Sequence, residues 1–509
     1  MQWLNKVVDE IITRQPKGEI LVESGVSPSG TYHVGTLREV LTSDAIMLEL
    51  RRRGRQSRHI HIVDDLDPFR KVPTNVPTDF NQYLGRPYCD IPAPDGSKQS
   101  YADFFLNDFL GAAEILKLDM EVIRSHEKYR SGFMVPAIEK ALEQAEVVAA
   151  ILTKISGHKL DQNWSPVQVM EDGYLKNRRF LAIDKDAKTI DYEDADGKRR
   201  TTGYGGGEVK LNWRVDWPAR WWLLKVDAEP FGRDHATKGG SYDTGAEIIK
   251  QVYGAEPPLP IPYHFINLAG ETKKMSKSTG NIIAISELVQ VMPPEVVRFF
   301  VLRFPPDKQL FFDQTASVVH LIDEFSALLA KGAKTDEDKQ LIELSTNGIE
   351  PTVSNIPFSH QVASYQAALK DPDATLSTLR RSAYGKSVIG QEEVIKKELG
   401  FIDQWLKKWA PQDVKFELRR EIDRGDFSEA DQKYLKLLGA KIAKAPANAD
   451  GQWFHKAIYD LKEELAIQPD QLFKPLYKAL IGKESGPRAG WFLSTLPRDW
   501  LAKRLRLES

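Results

Sequence analysis

Gly18 to Gly25 (GEILVESG) is a short apolar run closed by a glycine-containing turn, the pattern of a buried strand. Val26 to Tyr32 (VSPSGTY) follows with the residue types of a turn. From His33 the period becomes helical. Leu37, Val40, Leu41, Ala45 and Leu48 recur on one face, Arg51, Arg52 and Arg53 stand at the end that favours cations, and Gly54 suits a C-terminal stop. Arg58 to Val63 (RHIHIV) alternates as a strand does, and Asp64-Asp65-Leu66-Asp67-Pro68 breaks it. Strand, Gly/Ser-rich loop, helix and strand in that order make a βαβ unit of a parallel sheet. Pro262 to Leu268 (PYHFINL) predicts a further strand. Pro293-Pro294-Glu295 starts a helix whose Val296, Val297, Phe299, Phe300 and Leu302 leave almost no polar face, so it is expected to be buried. From about Phe358 nearly every segment has helical spacing, as in Glu393 to Trp409 and Glu429 to Lys444, with no convincing strand. The fold class expected is α/β: a parallel sheet followed by an all-α C-terminal region.

Composition narrows the reading. A chain of 509 residues has room for about three or four domains at roughly 100–200 residues each. Its 28% charged and 41% apolar residues are those of an ordinary soluble protein. No apolar run reaches the eighteen or so residues that span a bilayer, and Met1 to Glu10 has no signal-peptide pattern, so no membrane partner and a cytoplasmic location are expected. Cys89 is the only cysteine, which excludes an internal disulfide and any multi-cysteine zinc site. The formal net charge of -2 neither announces nor excludes a nucleic-acid partner, because a local basic surface suffices.

Two loops carry candidate chemistry. The first leads from a strand into a helix start, where free backbone N–H groups favour an anion such as a nucleotide phosphate. It matches neither G-x-G-x-x-G nor a P-loop. Its distinguishing residues are His33 and Gly35, an imidazole at a helix start and a glycine that lets a ligand come close; taken alone, His33 reads equally as a cap or a core residue. The second loop, Ala269 to Asn281, has three lysines in five residues and contains the ordered string Lys274-Met275-Ser276-Lys277-Ser278. A lysine-rich loop by itself is solvated surface, but this string is too specific for chance.

With these residues the chain resembles the class I aminoacyl-tRNA synthetases: His33-Val34-Gly35-Thr36 is similar to their first signature and Lys274 to Ser278 matches their second. Ser24 to Gly30, Arg38-Glu39, Asp64 to Pro73 and Glu229 to His235 resemble the class I lysine enzymes. The likeness continues through Gly239 to Gly245 and ends near Gly486-Pro487-Arg488. It implies a Rossmann-like catalytic domain over 1–290, with an inserted module at about 170–212, a connective helical domain over 291–355 and an α-helical anticodon-binding domain over 356–509. It also implies activation of L-lysine with ATP and Mg²⁺ and transfer to the 3′ end of tRNA(Lys), by a monomer. The family often carries cysteine-ligated zinc in the insertion, whereas Gly173 to Gly207 has neither Cys nor His, so no zinc and no protein-held metal are expected. Tyr174, Phe180, Ile183, Ile190 and Tyr192 with Asp196-Gly197 predict a hairpin-rich module held by apolar side chains instead.

By that resemblance the catalytic residues are His33, Gly35, Lys274 and Lys277. ATP is expected on Pro28, Ser29, Gly30, His33, Gly35, Gly232, Asp234, Lys274, Met275, Ser276, Lys277 and Ser278. Activation brings two anions together and builds charge on pyrophosphate, so cations and helix-end amides are the tools it needs. Asp234, at a carboxyl edge of the sheet, suits ribose hydroxyls, and alone also suits a helix cap. The amino-acid pocket is expected at Gly25, Ser27, Trp213, His235 and Tyr263. A lysine pocket wants aromatic faces for the methylene stem and a carboxylate for the distal ammonium. Trp213, Trp217, Trp221 and Trp222 cluster with Asp216, and Glu23, Asp64 and Asp216 stand as candidate acids. The rivals are a class I enzyme for glutamate or arginine, a tRNA-binding paralogue that does not charge, and a smaller nucleotidyltransferase with the same sheet.

Overall fold

The computed structural model describes the chain except residues 158, 162, 271–281, 420, 447, 448 and 509. It divides into two units: residues 1–289, 298–312 and 343–347 form the first, and 290–297, 313–342 and 348–509 the second.

In the first unit five strands, β1 (Ile20–Val26), β2 (Ser57–Val63), β3 (Glu121–Arg124), β4 (Ala228–Gly232) and β5 (Leu259–Tyr263), form one sheet in the order β5-β4-β1-β2-β3. Every pairing is parallel, so this is a Rossmann-like sheet, and its topological switch lies between β1 and β4. Chain order reverses there, the loops after β1 and β4 diverge, and a crevice opens at the carboxyl ends.

The βαβ unit forms as its pattern predicts, with two differences. Val34–Thr36 is a short 3₁₀ turn, and helix α1 (Leu37–Arg52) starts after it. Helix α1 is also buried well beyond its apolar stripe: Arg38, Asp44 and Glu49 are at most 1% exposed. Each of these charges has a fixed partner. The Arg38 guanidinium donates to the carbonyls of Val301 and Lys308 at 2.8 and 3.1 Å, and to that of Pro305. Asp44 pairs with the equally buried Arg298 at 2.7 Å, and Glu49 pairs with Arg52 and Arg53. Such pairing is what permits buried charge, and removing one partner costs several kcal/mol, roughly 3–5.

The strand expected over Pro262–Leu268 is two strands. β5 ends at Tyr263, while Ile266–Leu268 pairs with Leu310–Phe312 in a separate two-stranded sheet. At the break the His264 N–H donates to the Pro306 carbonyl, out of either ladder. Both strands are apolar, so the pattern carries no mark of the seam.

Between β3 and β4 lie the helices Ser125–Arg130, Val135–Glu143 and Ala145–Ser156, then two three-stranded antiparallel sheets. One has Val167–Glu171 at its centre and the other Thr189–Glu193. The turn of the second is tied by Asp194, whose side chain accepts from the N–H groups of Asp196 and Lys198, with Gly197 at φ +73°. Ile190 and Tyr192 are buried in the same core as Val167, Val169 and Leu211, with Phe180 and Ile183 packed on it. No group of three or more His, Cys, Asp or Glu among the described residues is placed to hold a metal ion.

The second unit is helical, and no strand occurs among its described residues. Three helices matter below: α2 (Gly451–Leu465), α3 (Pro469–Ile481) and α4 (Ala489–Thr495). They bury Phe454, Ile458, Leu472, Leu476, Phe492 and Leu493 in one core with Tyr434 and Leu438. No helix among the described residues is long and apolar enough to cross a membrane.

Candidate active site

A cavity of about 420 Å³ opens at the carboxyl ends of the strands, where the β1/β4 switch places a ligand crevice. Gly25 and Ser27 reach it from β1 and its loop, Asp64 and Asp67 from the loop after β2, Gly232, Asp234 and His235 from the end of β4, and Tyr263 from the end of β5. Helix Trp213–Leu224 adds Trp213, Asp216, Trp217 and Arg220, which share one face because they are spaced by three and four residues. All five residues expected to meet the amino acid therefore line one cavity, together with Gly232 and Asp234.

A smaller cavity of about 180 Å³ adjoins it, lined by His33, Gly35 and Thr36 and sharing Gly25, Glu39, Tyr263 and Phe265 with the first. His33 Nδ1 accepts the Gly35 N–H at 3.1 Å, so in the neutral ring Nε2 carries the proton and is a donor. Pro28, Ser29 and Gly30 lie in the intervening loop and line neither cavity; the Ser29 carbonyl accepts from the Tyr101 hydroxyl at 3.1 Å. Lys274, Met275, Ser276, Lys277 and Ser278 lie outside the described residues.

Rings form one wall of the larger cavity. Trp213 and Trp217 stack with centroids 6.0 Å apart, and the His235 ring stands edge-on to both at 5.6 Å. Trp221 is 1% exposed in the core, and Trp222 stacks on Tyr253. The tryptophan cluster thus divides, two residues to the cavity and two to packing.

Carboxylates form the rest. Glu39, Asp64, Asp67, Asp216, Glu229 and Asp234 line the cavity against the cations Arg70 and Arg220. Glu39 accepts from the Gly25 N–H and from the Tyr263 hydroxyl, each at 2.7 Å. Burial nevertheless pushes it up to about 7. Asp67 pairs with Lys210 at 2.9 Å and accepts from Ser27 at 3.1 Å. Burial opposes its charge, but Lys210, Arg70 and the Ser27 hydroxyl together hold it below the usual range. Asp64 is bound to Arg220, and burial still raises it to about 6. Glu229 accepts from the indole N–H groups of Trp217 and Trp221. Its neighbour on β1, Glu23, is fully buried beside the cavity, and neither carboxylate oxygen has a hydrogen-bond partner among the described residues. Burial raises Glu23 to about 8 and Glu229 well above the ordinary carboxylate range. Acids outnumber cations around this space, and burial raises several of them above the ordinary carboxylate range.

Of the three acids proposed for a distal ammonium, Asp64 and Asp216 line the cavity but are already engaged, Asp216 by Tyr129 and, at 3.5 Å, by Arg220. Glu23 lies behind it. The sequence reading assigned no part to Glu39, Asp67, Lys210, Arg220 or Glu229. Helical spacing could have found Arg220, one turn beyond Asp216 and Trp217, whereas nothing local marks Lys210 as the 1%-exposed cation between Asp67 and Asp216.

A family model described as tRNA synthetases class I (K) matches residues 1–347. The chain belongs to the class I (K) tRNA synthetases. It is 35% identical to lysine–tRNA ligase 1 of Methanosarcina acetivorans over 533 aligned residues, covering 99% of this chain and 98% of that one. It is 34% identical to the lysine–tRNA ligase of Archaeoglobus fulgidus, covering 99% of both, and 34% identical to that of Pyrococcus horikoshii, covering 100% of both. Family membership gives the geometry its frame: two adjoining cavities at the switch point, one beside the first signature and the other walled by rings and acids.

Proposed function

We propose that this chain is a lysine–tRNA ligase: it joins L-lysine to ATP as lysyl-adenylate and passes the lysyl group to the 3′ end of tRNA(Lys). The observation that carries the reading is the excess of buried carboxylates in a ring-walled cavity that adjoins the His33–Gly35 cavity, in a chain whose full-length relatives are lysine–tRNA ligases. Lysine brings an ammonium group at each end and a methylene stem between them. The stem lies against Trp213 and Trp217. Glu39, where the two cavities meet, serves the end nearer ATP, and Asp64, Asp67 and Glu229 serve the other. A glutamate side chain would set a further carboxylate among these acids, which disfavours that rival.

ATP supplies the α-phosphorus that the lysine carboxylate attacks, with pyrophosphate leaving; a hydroxyl of the tRNA 3′ end then attacks the carbonyl and AMP leaves. We assign to His33 Nε2 a donor role toward the phosphates, which Gly35 lets come close, and to Gly232 and Asp234 the ribose. Lys274 and Lys277 supply the charge that offsets pyrophosphate as it forms. Mg²⁺ arrives on the nucleotide and no zinc is needed. We assign residues 291–355 to a connective role and 356–509 to the anticodon end of tRNA, and we place the enzyme in the cytoplasm as a monomer.

The test is charging of tRNA transcripts with each of the twenty amino acids under saturating ATP and Mg²⁺. Lysine should be attached far faster than any other, and preferential charging with glutamate or arginine, or with none, would sink the proposal.

A further inference from the structure

The face of β1 and β2 that packs on α1 carries a buried polar chain to which the activation chemistry gives no part. Ser24 on β1 and His59 and His61 on β2 are at most 1% exposed. The two histidines are two residues apart and so share one side of the strand, and the parallel register sets Ser24 beside His61. Ser24 Oγ is 2.7 Å from His59 Nε2 and 2.8 Å from His61 Nδ1. On the same side the Ser57 hydroxyl donates to the Met47 carbonyl of α1 at 3.0 Å, and the His61 ring lies 5.4 Å from that of Phe109. Leu21, Ile60 and Ile62, which alternate with these residues, join the apolar core.

Burial pushes His59 down to about 3 and His61 down to about 4, so both rings are neutral and each has one N–H. The Ser24 hydroxyl has no other partner among the described residues, so it donates to one ring and accepts from the other. Either direction gives both rings the same tautomer: protons on Nε2 if His59 donates to Ser24, and on Nδ1 if His61 does. At the two ends His59 Nδ1 and His61 Nε2 have no hydrogen-bond partner among the described residues. Strands buried on both faces ordinarily carry aliphatic side chains, and a polar chain with unsatisfied ends is less stable than those would be. Stability alone therefore does not account for it.

Its place in the sheet supplies a reason. β1 and β4 are in register only at Val22 and Ala228, so from Glu23 onward β1 is laddered to β2 alone and the ligand crevice opens on its other side. Ser24 lies in that half-paired stretch, and the two imidazoles tie it to β2. The next residue, Gly25, lines both cavities, and its N–H, in the peptide unit that Ser24 begins, donates to Glu39 at 2.7 Å. Turning that peptide would withdraw the donor from Glu39, which the Tyr263 hydroxyl holds from the other side. We propose that Ser24, His59 and His61 are positioning residues of the lysine site: they fix the Ser24–Gly25 peptide and, through it, the Glu39 carboxylate that meets the ammonium group nearer ATP. The proposal rests on the reading of the chain as a lysine–tRNA ligase.

The test uses the full-length protein. Melting temperature and the KM values for lysine and ATP in pyrophosphate exchange are measured for the parent, for Ser24→Ala, and for a triple variant combining Ser24→Ala, His59→Leu and His61→Leu. Ser24→Ala leaves two buried rings unpaired and should lower the melting temperature, whereas the triple variant replaces every partner by an apolar group and should regain it. Lysine KM should nevertheless rise at least about tenfold in both, with ATP KM changed less than about twofold. A role confined to packing would return lysine KM to the parent value along with the melting temperature. Nitrogen-15 spectra of the histidine-labelled parent, assigned through His59→Gln and His61→Gln, should show both rings neutral at pH 7 and in one tautomer. Should the triple variant not fold, the spectra decide together with Ser24→Thr, which keeps the hydroxyl and should recover most of the lysine KM lost in Ser24→Ala. A folded triple variant with the parent's lysine KM, no recovery in Ser24→Thr, or rings of opposite tautomer would overturn the proposal. Such results from a parent that activates lysine would leave the function standing and remove the positioning role alone. A parent that activates no lysine would remove the functional reading itself.

Discussion

The cavities of the two units are built on opposite electrostatic plans. At the sheet ends Arg220 is committed to Asp64 and Asp216 and Lys210 to Asp67, and even with Arg70 the acids are in excess. In the helical unit a cavity of about 720 Å³ lined from α2, α3 and α4 has rings, Trp491 among them, one arginine without an ion pair among the described residues and no carboxylate. The first suits a ligand that brings ammonium groups to buried acids, and the second offers a cation no carboxylate. Buried charge gives steep selectivity because an unmatched ligand leaves acids unpaired.

The largest effect that sharpens this contrast belongs to the phosphate chemistry. Lys277→Ala should lower kcat for charging at least about a hundredfold while changing tRNA KM little, since a charge acting mainly in the transition state is lost. Charging at the parent rate would remove Lys277 from the reaction. Next comes Glu39→Gln. The amide keeps the size and can still accept from the Gly25 N–H, but it loses the charge, so lysine KM should rise roughly 10- to 100-fold. An unchanged lysine KM would put the substrate elsewhere. Tyr263→Phe removes one neutral hydrogen bond to the same carboxylate and should raise lysine KM only about fivefold, with charging kinetics as the measure. An effect as large as that of Glu39→Gln would mean that the hydroxyl touches lysine directly. The smallest effect should be that of chelation: removing zinc and restoring Mg²⁺ should leave charging intact, and stoichiometric zinc lost together with activity would contradict the reading of the insertion.

Much of the sheet-end site was legible because its chemistry is local. The loop from Ser24 to Gly35 has both its strand and its helix start next to it, and Trp213 and Trp217 stand in one short run with Asp216. Lys210 and Glu39 were not legible as site residues, since a sequence does not mark which charges become buried. Their partners, Asp67 and Asp216 for one and Gly25 and Tyr263 for the other, come from distant segments. The burial of α1 on its polar side depends on Arg298 and on carbonyls of residues 301–308, some 260 positions away, so periodicity showed only its apolar stripe. The split of Pro262–Leu268 was hidden for the related reason that two sheets ask the same apolarity of adjoining strands. In the helical unit the setting of Trp491 depends on Gly451 and Gly490, which leave no room for a Cβ and which no periodicity singles out.

Acids raised by burial at the sheet ends make stability depend on pH. Glu39, at about 7, and Glu23, at about 8, stabilise the folded chain while protonated; that contribution is complete below the unfolded value near 4.5 and is lost as pH rises through 7 to 8. The melting temperature of the ligand-free parent should therefore fall between pH 5.5 and 8.5 by more than that of Glu39→Gln. Lysine should reverse the trend, because its ammonium groups favour the ionised acids. The most direct measurement is calorimetric titration of lysine at pH 7 in two buffers of different ionisation enthalpy, which counts protons exchanged on binding. A lysine site made of partly protonated acids predicts release of at least about half a proton, the fraction held by a single group titrating near 7. Binding with no proton release, or with uptake, would contradict it.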